Sequence, residues 1–290
     1  MSKENKKNIR FIPRLDIKGP NLVKGIHLEG LKILGDPNTF AKHYYDSGAD
    51  ELLYMDSVAS LYGRNSLSEI IEKTVKEIFI PFTVGGGIRN LDDIYRILRK
   101  GADKVAINTE ALINPNLITE SAKKFGSSTI MIEIQTQKQL NNKYYAFMDN
   151  GRTNSNIEAI DWAKKVEDLG AGEILITSIN KDGTGQGFDL DIVTEIASKV
   201  SIPIIASGGA GEINHIKDLA EKSQINGIGL ASILHYDFVK KMLNDHYKVK
   251  NEGKFEIVGD NFDNKRIQTT NIKIIKDMLI KNGFICRPID

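Results

Sequence analysis

Carboxylates that close short apolar runs are the residues of this chain best suited to move protons. Asp16 ends Ile12-Pro-Arg-Leu-Asp16, Asp56 closes a second run, and Asp182 follows a third in Thr177-Ser-Ile-Asn-Lys-Asp-Gly-Thr184. Held against a substrate, such a group takes a proton at one step and returns it at another. Thr177 is a candidate substrate contact beside them, and Asn108 and Thr109 end another run as neutral polar groups suited to phosphate or a diol. The plain alternative for each is a loop residue satisfied by its neighbours, and for Asp16 a carboxylate that caps the next turn.

Glycine turns supply the other half of the chemistry. Ile202-Pro-Ile-Ile-Ala-Ser-Gly-Gly-Ala-Gly211 and Ile80-Pro-Phe-Thr-Val-Gly-Gly-Gly-Ile88 are both an apolar strand running into glycines. Backbone N–H groups in such turns can approach an anion closely. One phosphate site would use Gly183, Gly208, Gly209, Ala231 and Ser232, and a second Gly86, Gly87, Asn108 and Thr109. A lone glycine run is weak evidence. Two at matching positions imply a substrate with a phosphate at each end.

The elements that must position these groups repeat. Pro203 follows Pro81 at the offset by which Ala171-Gly-Glu-Ile-Leu-Ile-Thr-Ser follows Ala49-Asp-Glu-Leu-Leu-Tyr-Met-Asp. Gly101-Ala-Asp-Lys-Val-Ala-Ile-Asn-Thr109 has a looser echo in Gln224-Ile-Asn-Gly-Ile-Gly-Leu-Ala-Ser232. Strands are expected near residues 10–16, 51–56, 81–85, 104–107, 129–135, 173–178, 203–207 and 226–230. Helices fit between them at 36–47, 66–77, 91–100, 116–124, 156–169, 190–199 and 213–221, with others near 236–244 and 271–282. Strand–helix alternation with fully apolar strand centres predicts an α/β fold, a parallel (β/α)8 TIM barrel built from two duplicated half-barrels. An open doubly wound sheet is the alternative, and the repeat favours closure. The carboxylates and glycine turns then share the C-terminal face, where such barrels hold their active sites.

Residues 1–290 read as one barrel domain with two additions. Residues 18–36 form a long glycine-bearing loop on the active face, and its Lys24 is a candidate for substrate phosphate. A polar insertion at about 246–268, with a β-like stretch at 254–258, precedes the last helix. At the other rim, Arg10, Glu51, Lys104 and Glu173 begin strands one, two, four and six and alternate in sign. Each alone reads as a solvated end charge; together they form a candidate ring of ion pairs.

A formal net charge of +1 gives no field that favours nucleic acid or an anionic membrane. No apolar run is long enough for a membrane span, and the polar start lacks a signal-peptide centre. A single cysteine, Cys286, excludes an internal disulfide and suits a reducing compartment, so a cytoplasmic protein is expected. His27, His43, His215, His235 and His246 lack ligand spacing, and no metal or cofactor is expected. No nucleophile elbow, Walker A motif or complete dinucleotide fingerprint occurs.

The blocks Phe82-Thr-Val-Gly-Gly-Gly-Ile88, Gly101 to Thr109, Gly170-Ala-Gly-Glu-Ile-Leu-Ile-Thr-Ser178 and Ile204-Ile-Ala-Ser-Gly-Gly-Ala-Gly211 resemble HisF, the cyclase subunit of imidazole glycerol phosphate synthase. The resemblance spans roughly residues 8–235 and the final helix. It implies a HisH-like glutaminase docked on the barrel's bottom, with ammonia passing through the barrel to a bisphosphate at the top. The products would be imidazole glycerol phosphate and an aminoimidazole carboxamide ribotide. The family's bottom gate matches Arg10, Glu51, Lys104 and Glu173.

Three departures accompany it. The chemistry uses two carboxylates, and only Asp16 matches; at the second position, the repeat twin of Asp16, stands Gln135, which cannot shuttle a proton. Loss of such a group forfeits on the order of 10²–10⁴-fold in rate. Strand alternation puts Arg14 on the inward face with Asp16 and Glu133 with Gln135, so an Arg14–Glu133 ion pair across the barrel is expected, against the alternative that each finds water. Pro13-Arg-Leu-Asp-Ile-Lys-Gly-Pro-Asn-Leu-Val-Lys-Gly25 also looks more like a HisF paralogue that supports amidation of surface-polysaccharide (lipopolysaccharide) sugars, beside a separate sugar amidotransferase. An enzyme, an ammonia conduit and, less well because it needs no charge ring, a HisA-type sugar isomerase are the competing expectations. The conduit for sugar amidation is favoured over histidine synthesis.

Overall fold

The computed structural model describes residues 7–59, 67–244 and 266–289. Its eight-strand barrel is made of β1 (Arg10–Lys18), β4 (Leu52–Asp56), β5 (Phe82–Gly85), β6 (Lys104–Ile107), β7 (Ile130–Lys138), β10 (Glu173–Ser178), β11 (Ile204–Ser207) and β12 (Gly227–Leu230). Each pairs in parallel with the next, and β12 pairs with β1, so the sheet closes. All eight predicted strands are present. The strand centres are buried on both faces, as expected where helices cover the outside and side chains fill the inside.

The outer layer contains α1 (Pro37–Asp46), α2 (Ser68–Thr74), α3 (Leu91–Arg99), α4 (Thr109–Ile113), α5 (Asn116–Phe125), α6 (Ala159–Asp168), α7 (Leu190–Ala197), α8 (Ile213–Lys222), α9 (Ser232–Asn244) and α10 (Ile272–Lys281). Side-chain caps fix several starts: Asp36 accepts from the Thr39 N–H, Asn90 from Asp93 and Asn271 from Ile274. Within α10, buried Lys276 reaches under the barrel to Asp50 Oδ1 at 2.6 Å and the Gly48 carbonyl at 2.8 Å. That clasp ties the last helix to the first two barrel strands.

Inward positions stack in layers, because alternate residues of a strand share a face. Above Arg10, Glu51, Lys104 and Glu173 lies an apolar layer of Ile12, Leu53, Ala106, Met131, Leu175 and Ile205. Above that come Arg14, Glu133 and Thr177, then Asp16 and Gln135 at the mouth.

Two segments differ from expectation. Residues 18–36 are not an open loop but a hairpin, β2 (Asn21–Ile26) and β3 (Glu29–Gly35), whose first strand pairs antiparallel with β1. Gly19, at φ +62°, makes the turn that lets β1 double back. A second hairpin, β8 (Tyr144–Met148) and β9 (Thr153–Glu158), extends β7 in the same way. The helix expected from residue 156 therefore begins at Ala159. The half-barrel repeat reaches these additions, since β1 and β7 occupy matching places and each carries a hairpin. Most of the polar insertion at 246–268, including its β-like stretch, lies outside the described residues. Among the described residues, no helix is long and apolar enough to cross a membrane.

Candidate active site

The lower opening is closed by charges. Arg10 pairs with Glu51 and with Glu173, and Lys104 Nζ lies 3.3 Å from Glu51 Oε2 and 3.0 Å from Glu173 Oε2. Each carboxylate thus sits between two cations, and the sign alternation read from the strand starts becomes a closed ring. Burial alone would lower the Arg10 guanidinium, but Glu173 and Glu51 raise it above its ordinary value.

At the upper end a second charged group is wholly buried. Arg14 Nε donates to Asp16 Oδ1 at 2.9 Å, and its terminal nitrogen donates to Glu133 Oε1 at 2.8 Å and to Thr177 Oγ1 at 2.7 Å. Thr177 in turn donates to Glu133 Oε1 at 2.8 Å, and Gln135 Nε2 donates to Glu133 Oε2 at 3.0 Å. The expected Arg14–Glu133 contact is present, and Thr177 bridges it. Desolvation of Asp16 would push its carboxyl up, but Arg14 and then Lys24 outweigh burial and hold it below the usual carboxylate range. Ionised Asp16 is stabilised here, and a group so clamped is a weaker base.

His235, on α9, fixes the backbone behind this cluster. Its Nε2 bonds the Arg14 carbonyl at 2.9 Å and its Nδ1 the Tyr44 hydroxyl at 2.6 Å. A carbonyl can only accept, so the proton sits on Nε2 and Tyr44 donates to Nδ1. Burial, and then Lys24, lower this imidazole to about 3, which keeps it neutral.

The β2–β3 hairpin lies across part of the mouth. Lys24 Nζ is 2.7 Å from Asp182 Oδ2 and 3.6 Å from Asp16 Oδ2, with little exposure. Burial would lower this ammonium, but Asp182 and Asp16 raise it. The His27 N–H donates to the Asp182 carbonyl at 2.9 Å, and Leu28 packs with Phe147 and Ile179. Here Lys24 faces two carboxylates, not an open phosphate pocket.

A cavity of about 210 Å³ opens beside the hairpins and is bounded by residues of β1, β4, β6 and β7, the loop after β5 and the β8–β9 turn. Gly86, Gly87, Asn108 and Thr109, the proposed second phosphate set, all line it, as do Asp56 and Gln135. Asn108 Nδ2 donates to the Phe147 carbonyl at 3.0 Å, and Thr109 Oγ1 accepts from the Asp149 N–H at 3.0 Å. The residues of the other set do not line this cavity. Gly183 packs against Gly25 of the β2–β3 hairpin, Gly209 accepts from the Gly187 N–H at 2.8 Å, and Ala231 and Ser232 lead into α9.

Sequence reasoning missed Asp149, Asn150, Glu110 and Arg89, which also line the cavity. The first two belong to the β8–β9 turn, where Asp149, Asn150 and Gly151 have φ +53°, +56° and +80°. Asp-Asn-Gly between β-like runs is a hairpin signal, and it was legible. Among the described residues, no group of three or more His, Cys, Asp or Glu could hold a metal ion.

Residues 10–240 match the profile of a family described as histidine biosynthesis protein. The chain is 56% identical over 206 residues to a Legionella pneumophila protein named imidazole glycerol phosphate synthase subunit HisF, a match covering 71% of this chain and 97% of that relative. It is 44% identical over 247 residues to a Bacillus cereus (strain AH187) protein of the same name, covering 83% and 98%. A third relative, from Bacillus cereus (strain G9842), carries that name too and is 45% identical over 241 residues, covering 81% and 96%.

Proposed function

The chain belongs to the histidine biosynthesis protein family, among its HisF members, and from that premise we propose that it is the ammonia-receiving synthase subunit of a glutamine amidotransferase complex. Its partner is a HisH-like glutaminase seated under the charge ring. The observation that carries this reading is one barrel interior with a closed ion-pair ring below and the acid cluster above. The apolar layer between them suits a small neutral molecule such as ammonia and disfavours water and ions.

At the mouth, the family reaction joins ammonia to a phosphoribulosyl bisphosphate and releases imidazole glycerol phosphate and an aminoimidazole carboxamide ribotide. It is lyase-type chemistry: a ring closes and a C–N bond breaks, with proton transfer at both steps. The relatives' shared name supports this cyclase reading, in histidine biosynthesis, over the sugar-amidation role favoured from the sequence. In the cyclase reading Asp16 handles protons, Gly86, Gly87, Asn108 and Thr109 hold one phosphate, and Gly183, Gly208, Gly209, Ala231 and Ser232 hold the other. Asp56, Thr177 and Asp182 surround the substrate, with Lys24 held among them by Asp182.

A second reading has its own support. Gln135 stands where a second carboxylate is needed, and Arg14 clamps the first. Both features suit a barrel that passes ammonia on to a sugar amidotransferase for lipopolysaccharide synthesis. A cyclase assay with the bisphosphate and ammonium salt separates the two. Robust turnover by the wild type establishes the cyclase and removes the conduit; activity that appears only in Gln135→Asp does the opposite.

A further inference from the structure

Among the described residues, the acid cluster has one more carboxylate than cation. Arg14 and Lys24 face Asp16, Glu133 and Asp182, all five side chains being almost fully buried. Each carboxylate has a cation beside it, but two cations are shared among three carboxylates, and buried charge left unbalanced is costly, so the cluster favours a further cation.

Hydrogen bonding points the same way. Gln135 spends its N–H2 on Glu133, and its buried Oε1 has no partner. The amide cannot be turned over, because its oxygen would then face the oxygen of a carboxyl group that already accepts from Arg14 and Thr177. Asn108 repeats the arrangement: its N–H2 donates to the Phe147 carbonyl, and its Oδ1 has no partner. Two residues lining the cavity therefore have amide oxygens in need of a donor, beside a carboxylate layer in need of positive charge.

We propose that Glu133 and Gln135 form a binding station for ammonium at the inner end of the mouth cavity. Glu133 supplies the charge through Oε2, Gln135 accepts one N–H through Oε1, and Asn108 Oδ1 is the acceptor nearer the rim. Ammonium meets these demands because it carries one positive charge and four donors. The three-carboxylate cluster that a divalent metal would want is not found among the described residues. Gln135 is then no vacant catalytic position but half of a site that retains the nitrogen arriving from below, once the neutral ammonia has taken a proton from solvent water at the open mouth. The choice of ammonium over another monovalent cation rests on the ammonia route proposed above; the site itself rests on the charge and acceptor count.

Crystals of the wild-type chain alone, soaked in thallium(I) nitrate as an ammonium surrogate, are the direct test. An anomalous peak bonded to Glu133 Oε2 and Gln135 Oε1 is expected, and its absence at full soak overturns the station. In solution, ammonium chloride should raise the melting temperature more than tetramethylammonium chloride does at equal ionic strength. Gln135→Met, which keeps the volume and removes the acceptor, should raise the half-saturating ammonium concentration about tenfold, the weight of one hydrogen bond to a charged group. An unchanged half-saturation also overturns the proposal. Neither measurement involves the glutaminase, so failure of the station is distinct from failure of the ammonia route, which gate variants in the complex test.

Discussion

Removing the Arg14 side chain would strand Glu133, which is fully buried and, among the described residues, has no other cation in hydrogen-bond contact. Arg14→Leu is therefore expected to destabilise the barrel by about 3–5 kcal/mol, the usual effect of breaking a buried pair from one side. Adding Glu133→Leu should recover most of that loss, because desolvating both charges is itself costly. Urea denaturation of the two variants checks the expectation, and equal losses in both would show that Arg14 matters by packing alone. His235 makes a separate prediction in pH. Its folded-state value of about 3 lies below the unfolded value, so between about pH 6.5 and 3 the unfolded chain binds a proton that the folded chain refuses. The stability from neutral His235 is complete above that window and falls as pH drops, by about 1.4 kcal/mol per unit. His235→Gln should flatten the slope between pH 6 and 4 in denaturation series; an unaltered slope would assign it to other groups, His43 among them, which burial lowers to about 4.

The β2–β3 hairpin and the loop after β10 are locked by a contact that only glycine permits. Gly183 has φ +71°, and a Cβ there would lie 2.3 Å from the Gly25 carbonyl oxygen. Gly183→Ala should cost about 1–3 kcal/mol and pry the hairpin from Asp182. Faster hydrogen exchange at the His27 and Leu28 amides would report that release, and unchanged protection would count against the lock. The same hairpin marks where reading the sequence stopped. Barrel strands such as Ile130–Lys138 announce themselves because both faces are buried and their apolar runs are unbroken. In Glu29–Gly35 most positions are exposed or half-exposed, and Thr153–Glu158 has no buried residue, so neither shows a β period. Their pairing comes from continuing β1 and β7, information held by the neighbouring strand. Asp16, Arg14, Glu133 and Gln135 were legible because alternation alone sets their face. The capture of Lys24 by Asp182 was not, since it depends on where the hairpin folds.

Over the whole molecule, the proposed ammonia route runs from the lower ring to the upper cluster, and the ring's contribution to it can be isolated by asking where product nitrogen comes from. Arg10 contacts both Glu51 and Glu173, so Arg10→Ala opens two of the ring's four contacts and leaves both carboxylates to Lys104. Nothing in the acid cluster touches Arg10; the apolar layer lies between. Turnover with saturating ammonium salt should therefore stay near the wild-type level, whichever acceptor the complex serves. On the proposed route, in which the ring faces the glutaminase and passes its ammonia, glutamine-dependent turnover should change. With amide-15N glutamine and excess unlabelled ammonium, the wild-type complex should place mostly 15N in the product. The Arg10→Ala complex should lose label several-fold as free ammonia enters through the opened base. Equal label in both complexes would mean that the ring only fastens the strand ends, and that ammonia reaches the mouth by another way.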